Sequence, residues 1–186
     1  MRITLLNGTP ADARYKNFEL FVEKLAIYLD KDRHTVTNLK LRNMDIKYCT
    51  GCFGCWVKNP GECLIADDSR TVRREAINCD LLVFASPIIM GFTSAILKKT
   101  MDKMIPLVHP YIEIVEKECH HRKRYDKYPS VGLILDKPTD NRADDEDIAI
   151  TRRIFERLSL NLRSTLRLVA FDQTPIEEVI NEINHI

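Results

Sequence analysis

The sequence predicts an α/β protein in which a five-stranded parallel sheet lies between two layers of helices. Three observations carry this expectation. Strand-like and helix-like runs alternate along the whole chain, the pattern of parallel strands joined by helical crossovers. Three strand-like runs, Ile3 to Leu6, Leu81 to Ala85 and Val131 to Leu135, are continuously apolar, as expected of strands covered on both faces. The other two, Thr35 to Leu41 and Thr165 to Phe171, intersperse Asn38, Lys40 and Arg167 among apolar residues and suit partly solvated edges. Placing the second and fifth runs at the edges and the others inside gives the strand order 2-1-3-4-5.

Between the strands, apolar residues recur at helical spacing. Phe18, Phe21, Val22, Leu25 and Leu29 form one stripe, Leu97, Met101, Met104 and Ile105 a second, and Ile150, Ile154, Leu158 and Leu162 a third. Each stripe is expected to face the core. A last amphipathic segment with Ile176, Val179, Ile180 and Ile183 on one face follows Pro175, and packs either on the domain or on another subunit. A chain of 186 residues suits one domain, 1–186, with an ample core.

The 28 basic residues against 27 acidic ones exclude a nucleic-acid binder by bulk charge. No stretch approaches the roughly 20 apolar residues of a membrane span, and the run Ile3 to Leu6 is too short for the core of an export signal. The expected location is the cytoplasm. Six cysteines there read as reduced thiols, metal ligands or redox groups rather than a disulfide framework.

In an open parallel sheet the ligand binds beyond the carboxyl ends of the strands, where the strand order reverses. That places the site at the loops after Leu6 and Ala85. The first runs from Asn7 through Gly8-Thr9-Pro10 to Asn17 and enters a helix, so backbone N–H groups and the helix dipole can receive a phosphate. Thr9, Lys16 and Asn17 are candidate side-chain donors, and Arg14 and Lys16 offset the charge of Asp12. Turn and capping chemistry explains the same residues equally well. The second loop, Pro87, Ile88, Ile89, Met90 and Gly91 with Thr93 or Ser94 as helix cap, offers an apolar wall and exposed amides to a flat heteroaromatic ring.

With these blocks and the segment from Cys49 to Asp68, the chain resembles the NAD(P)H-dependent FMN reductase family of flavodoxin-like proteins over nearly its full length. The resemblance implies that Thr9 and the residues up to Asn17 hold the FMN phosphate and that Pro87 to Gly91 wrap the isoalloxazine ring. Ser94, Lys98 and Asp102 look structural. It further implies hydride transfer from NADH or NADPH to FMN N5 and onward delivery to a small-molecule or redox-protein acceptor, in a homodimer or homotetramer. Ala11, Asp12 and Tyr15 stand where the family usually carries an Arg and a Ser/Thr pair, and Ile88 and Ile89 where it often stacks a Tyr or Trp.

The run Cys49-x2-Cys52-x2-Cys55-x7-Cys63 admits several readings. It resembles the compact runs that ligate iron–sulfur clusters, and iron–sulfur flavoproteins of the flavodoxin-like group carry one of this type beside FMN. Those four cysteines would then hold a [4Fe–4S] cluster. Alternatively the loop only shapes the site, with Gly51 and Gly54 permitting tight turns, Trp56 stacking on substrate or a neighbouring subunit, and Asp67 or Asp68 capping the next helix. A reactive thiol is the third reading.

Three functions follow: an FMN-dependent oxidoreductase fed by NAD(P)H, an iron–sulfur flavoprotein electron carrier, and an FMN-free flavodoxin-like binding module. Two further features are assigned to structure. His120, His121, Arg122, Lys123 and Arg124, in the long connection from Leu107 to Pro129, could meet phosphate or another anion, and read more simply as a solvated charged face. The acidic segment Asp140, Asp144, Asp145, Glu146 and Asp147 reads as helix capping.

Overall fold

A computed structural model describes residues 1–136 and 144–186; Asp140 lies outside them. The element order is β1 (Arg2–Asn7), α1 (Lys16–Lys31), β2 (Thr35–Lys40), α2 (Gly54–Val57), α3 (Ser69–Asn78) and β3 (Leu81–Ser86). A small hairpin follows, β4 (Ile88–Ile89) and β5 (Phe92–Thr93), and then α4 (Ala95–Asp102). A second hairpin, β6 (Val108–Val115) and β7 (Glu118–Lys123), precedes β8 (Ser130–Leu135), α5 (Asp145–Asn161), β9 (Leu166–Phe171) and α6 (Ile176–Asn184).

The five long strands make one parallel sheet in the order β2-β1-β3-β8-β9, the order expected from the apolar runs. All six residues of β3 are buried, while no residue of β2 is and β9 alternates. Side chains leave successive strand positions on opposite faces. Leu6, Leu82, Phe84 and Leu133 therefore pack under α3, α4 and α5, while Ile3, Leu5, Leu81 and Val83 pack under α1 and α6. On the latter face Phe18, Phe21, Val22, Leu25 and Leu29 of α1 meet Val179 and Ile183 of α6. The last helix thus closes this chain's own core.

The third helical stripe faces differently from expectation. On α5 the fully buried positions are Thr151, Phe155 and Ser159, and Ile150 and Ile154 stand 45% and 40% exposed. Leu158 and Leu162 still pack against the core. The rotation follows from Phe155, whose ring meets Phe84 edge to face at 5.2 Å. An aromatic pair buries more area than an isoleucine and adds about 0.5–1.5 kcal/mol of its own.

The connection from Leu107 to Pro129 is an antiparallel hairpin, so the charged run lies on β7. It is not uniformly solvated. His120 is buried, with its ring nitrogens at Asn161 (3.1 Å) and Glu118 (3.3 Å). Asp144 and Asp147 form a reciprocal capping box at the start of α5, the capping role expected of the acidic segment.

Candidate functional site

The loops after β1 and β3 lie side by side because these strands pair directly, Asn7 opposite Ala85. Gly8 donates its N–H to the Ala85 carbonyl at 2.8 Å, and its own carbonyl accepts from Ser94 Oγ at 2.6 Å. A Cβ on Gly8 would fall 2.7 Å from the Leu97 Cβ, so only glycine allows this approach. Ser94 caps α4 by accepting the Leu97 N–H at 3.2 Å, and its own N–H is received by Ser86 Oγ at 2.8 Å. The two loops and the start of α4 are thereby one frame.

Within that frame several polar atoms have no partner. Asn7 Oδ1 accepts the Thr9 N–H at 3.0 Å, and both residues are about 2% exposed or less. Among the described residues, Asn7 Nδ2, Thr9 Oγ1 and the nearby Thr93 Oγ1 are buried and find no hydrogen-bond partner. Buried polar atoms are nearly always bonded, so three orphans at the strand ends suit a polar ligand. From the sequence Asn7 reads only as the start of a turn and Thr93 only as a candidate helix cap, since a polar residue at a strand end is ordinary there.

Asp12 does not leave the loop negative. Its carboxylate takes the Arg14 side chain at 2.6 Å and the Arg14 N–H at 2.9 Å, which together hold its pKa at about 2. Arg14 is 70% exposed and committed to this pair, so it sits on the rim. Lys16 opens α1, with Asn17 next; both are exposed. A 3₁₀ turn over Ala13–Tyr15, capped by the Asp12 carboxylate at the Arg14 N–H, runs directly into α1, so the helical stretch begins at the loop.

The second loop is the β4–β5 hairpin. Met90 and Gly91 both have positive φ, 52° and 78°, the geometry of a two-residue primed turn. Pro87 is buried, Ile88 is fully buried in the core, Ile89 is half-buried, and Met90 at the tip is 96% exposed. The Ile88 N–H is held by Asp136 Oδ1 at 2.5 Å. Ile89 and Gly91 are the members of this set left open beside the frame.

The four cysteines of the run from Cys49 to Cys63 line one small cavity of about 30 Å³, with Leu64, Lys103 and Pro106 also in its wall. Cys49 and Cys52 are exposed, Cys55 is buried and Cys63 lies between. Among the described residues no three His, Cys, Asp or Glu converge closely enough to hold a single metal ion. The Gly54 N–H, then the Thr50 hydroxyl, lower the Cys52 pKa, whereas burial, then Cys63, raises that of Cys55. Lys103 and Asp67, both buried, pair at 3.0 Å, and the lysine also donates to Cys63 Sγ at 3.2 Å. Burial opposes charge in both, yet their hydrogen bonds win: the Lys103 pKa is raised, and the Ser69, Lys47 and Lys103 donors hold Asp67 at about 2.

Asp67 also receives the Ser69 N–H at 3.0 Å at the start of α3, while Asp68 receives the Asp45 N–H at 2.7 Å. Trp56 lies between Phe53 and His121, ring centroids 5.4 and 5.0 Å away, and donates from Nε1 to the Val108 carbonyl at 2.9 Å. It joins the cysteine loop to β6. The pocket adjoins Asp102 and Lys103, at the opposite end of α4 from Ser94, about 12 Å along the helix axis.

An open parallel sheet of this order, with helices around it and two loops meeting at the strand ends, defines a flavodoxin-like protein. A family profile described as NADPH-dependent FMN reductase matches residues 1–120, and the chain belongs to that family. An "Iron-sulfur flavoprotein" of Archaeoglobus fulgidus is 28% identical over 109 residues, 59% of this chain and 48% of the relative. The chain spans about half the length of the curated relatives it matches. An azoreductase from Bacillus anthracis str. Sterne superposes with a TM-score of 0.64 at 12% identity, covering 100% of this chain and 96% of the other. An FMN-dependent NADH-azoreductase from Bacillus anthracis str. Ames Ancestor, solved with FMN, gives 0.59 at 12% identity, covering 97% and 92%. These two structures share the fold. No helix among the described residues is long and apolar enough to cross a membrane.

Proposed function

We propose that residues 1–186 form a single FMN-binding domain that takes reducing equivalents from NAD(P)H and delivers them to a small-molecule or redox-protein acceptor. The observation that carries this reading is the set of buried, unpartnered atoms, Asn7 Nδ2, Thr9 Oγ1 and Thr93 Oγ1, at the strand ends. Bound FMN supplies the hydride and electron chemistry. The chain's own residues bind and orient. Thr9, the amides of its loop, Lys16 and Asn17 meet the phosphate, with the start of α1 behind them. Arg14 cancels the charge of Asp12, so the loop does not repel an anion.

Pro87 to Gly91 border the ring: Ile89 and Gly91 face it, Ile88 supports the hairpin from the core, and Met90 covers the edge from the tip. Asp136 fixes that hairpin through the Ile88 amide. The exposed Ile150 and Ile154 of α5 support self-association as a homodimer or homotetramer. Six free cysteines suit a cytoplasmic protein. The test is a fluorescence titration of apoprotein with FMN and with riboflavin. Saturable quenching that is tighter for FMN is expected, and no saturation by either flavin would sink the proposal.

The thiol pocket favours a second reading, in which Cys49, Cys52, Cys55 and Cys63 hold a [4Fe–4S] cluster and the chain is an iron–sulfur flavoprotein electron carrier. Each thiolate goes to a different iron of a cuboid, so four thiols around a cavity suit a cluster even where none converge on one ion. The name of the Archaeoglobus relative points the same way. Iron and acid-labile sulfide in protein produced without oxygen test it. Protein lacking both leaves the loop as scaffold.

A further inference from the structure

A charged lysine in a protein interior is costly unless its partners are well placed. Lys103 is 2% exposed, and neither the sheet nor the flavin loops need its charge. Its surroundings are built nonetheless. The ammonium meets Asp67 Oδ2 at 3.0 Å and donates to Cys63 Sγ at 3.2 Å. Asp67 is fixed in turn by the N–H groups of Lys47 and Ser69, both at 3.0 Å. Arg73, 5% exposed, donates to the Lys103 carbonyl at 3.3 Å and to the Ser69 hydroxyl at 2.8 Å. Backbone and side chain of Lys103 are thus both held, and the ammonium is directed at one thiol of the pocket.

We propose that Lys103 is a positioning residue of the thiol pocket, whose fixed charge holds Cys63 at the wall and raises the reduction potential of a [4Fe–4S] cluster carried there. The inference rests on the cluster reading of the loop. Cluster potentials depend on net charge, on hydrogen bonds to the ligand sulfurs and on exposure. Lys103 supplies a charge-assisted hydrogen bond at Cys63, while its pair with Asp67 is neutral overall. Reduction by one electron makes the cluster one unit more negative, and a buried cation touching a ligand sulfur favours that state. Asp67 meets the ammonium and leaves the thiol to it, so the pair presents its positive end to the pocket.

The experiment reconstitutes the full chain without oxygen, using ferrous iron and sulfide, as wild type, Lys103→Met and Lys103→Arg. Iron and sulfide are assayed, and the midpoint potential is read by redox titration with EPR. Equal iron in all three is expected, with Lys103→Met more negative by at least a tenfold change in the reduction equilibrium, about 59 mV for one electron. Lys103→Arg keeps the charge and should lie near wild type. A cluster in Lys103→Met at the wild-type potential overturns the role of Lys103 while sparing the cluster. Wild type that takes up no cluster overturns the cluster reading and this role together, before any variant is compared. Should Lys103→Met fail to fold with Asp67 unpaired, Lys103→Met combined with Asp67→Asn leaves no buried charge. An unshifted potential in that double variant counts against the proposal equally.

Discussion

Ser94 Oγ donates to the carbonyl oxygen of Gly8 at 2.6 Å, joining residues 86 positions apart in the chain. The same oxygen caps α4. One hydroxyl therefore fixes the distance between the loop after β1 and the start of α4, and helix stability is tied to the geometry of the candidate site.

Ser94→Ala should then lose about 1 kcal/mol as a missing cap and, beyond that, weaken FMN about tenfold, because the Gly8 carbonyl is no longer held. Urea unfolding of apoprotein and a fluorescence titration read the two effects separately. A stability loss with unchanged FMN affinity would show that the loops keep their spacing without Ser94.

Thr9→Val tests the orphan hydroxyl. Removing a buried oxygen that has no partner should leave the apoprotein as stable or raise it by about 1 kcal/mol. FMN affinity should nevertheless fall about tenfold while riboflavin, which lacks the phosphate, binds as before. Equal losses for both flavins would place Thr9 away from the phosphate.

The β4–β5 turn gives a paired expectation. Gly91 needs its positive φ, and a Cβ there would come within 2.6 Å of Asp147 Oδ1, so Gly91→Val should cost about 1–3 kcal/mol even in apoprotein. Met90→Asn puts a residue tolerant of left-handed backbone at φ 52° and should raise stability by about 0.5 kcal/mol. Thermal unfolding of both variants checks the signs. Weaker FMN binding by Met90→Asn would support the tip side chain covering the ring.

Trp56 is held on both faces and at its N–H, so Trp56→Ala should lower stability by about 2–4 kcal/mol and open the cysteine loop to protease. FMN content should hold. A change in apparent NAD(P)H affinity at unchanged stability would instead return Trp56 to a substrate-facing role.

Acid stability should report Asp67. Its folded pKa, about 2, lies below the ordinary 3.8, so the unfolded chain binds more protons as pH falls. The contribution, about 2 kcal/mol, is complete above pH 4 and is lost as pH drops from about 4 towards 2. Urea midpoints across that range should decline more steeply for wild type than for Asp67→Asn.

The sheet was legible because burial writes itself into strand composition: Leu81 to Ala85 is apolar throughout, while Asn38 and Lys40 mark an edge. The adjacency of the loops after β1 and β3 followed from that order. The face of α5 was not legible, since Ile150 and Phe155 compete for the core and only packing against Phe84 decides. The β6–β7 hairpin turns at Glu116 and Lys117, both at positive φ without the Gly or Asn that signals such turns. Lys103 left no trace either, because a buried lysine is recognised only by partners that are distant in the chain.

The most direct measurement of the central claim is an anaerobic one, in which protein loaded with FMN is mixed with NADH or NADPH and the flavin absorbance is followed. The account predicts bleaching by at least one nicotinamide and recovery when an acceptor is added, with no reaction in FMN-free protein. Flavin that stays oxidised with both nicotinamides, yet is reduced by a low-potential redox protein, would contradict the NAD(P)H-dependent oxidoreductase in favour of the electron carrier.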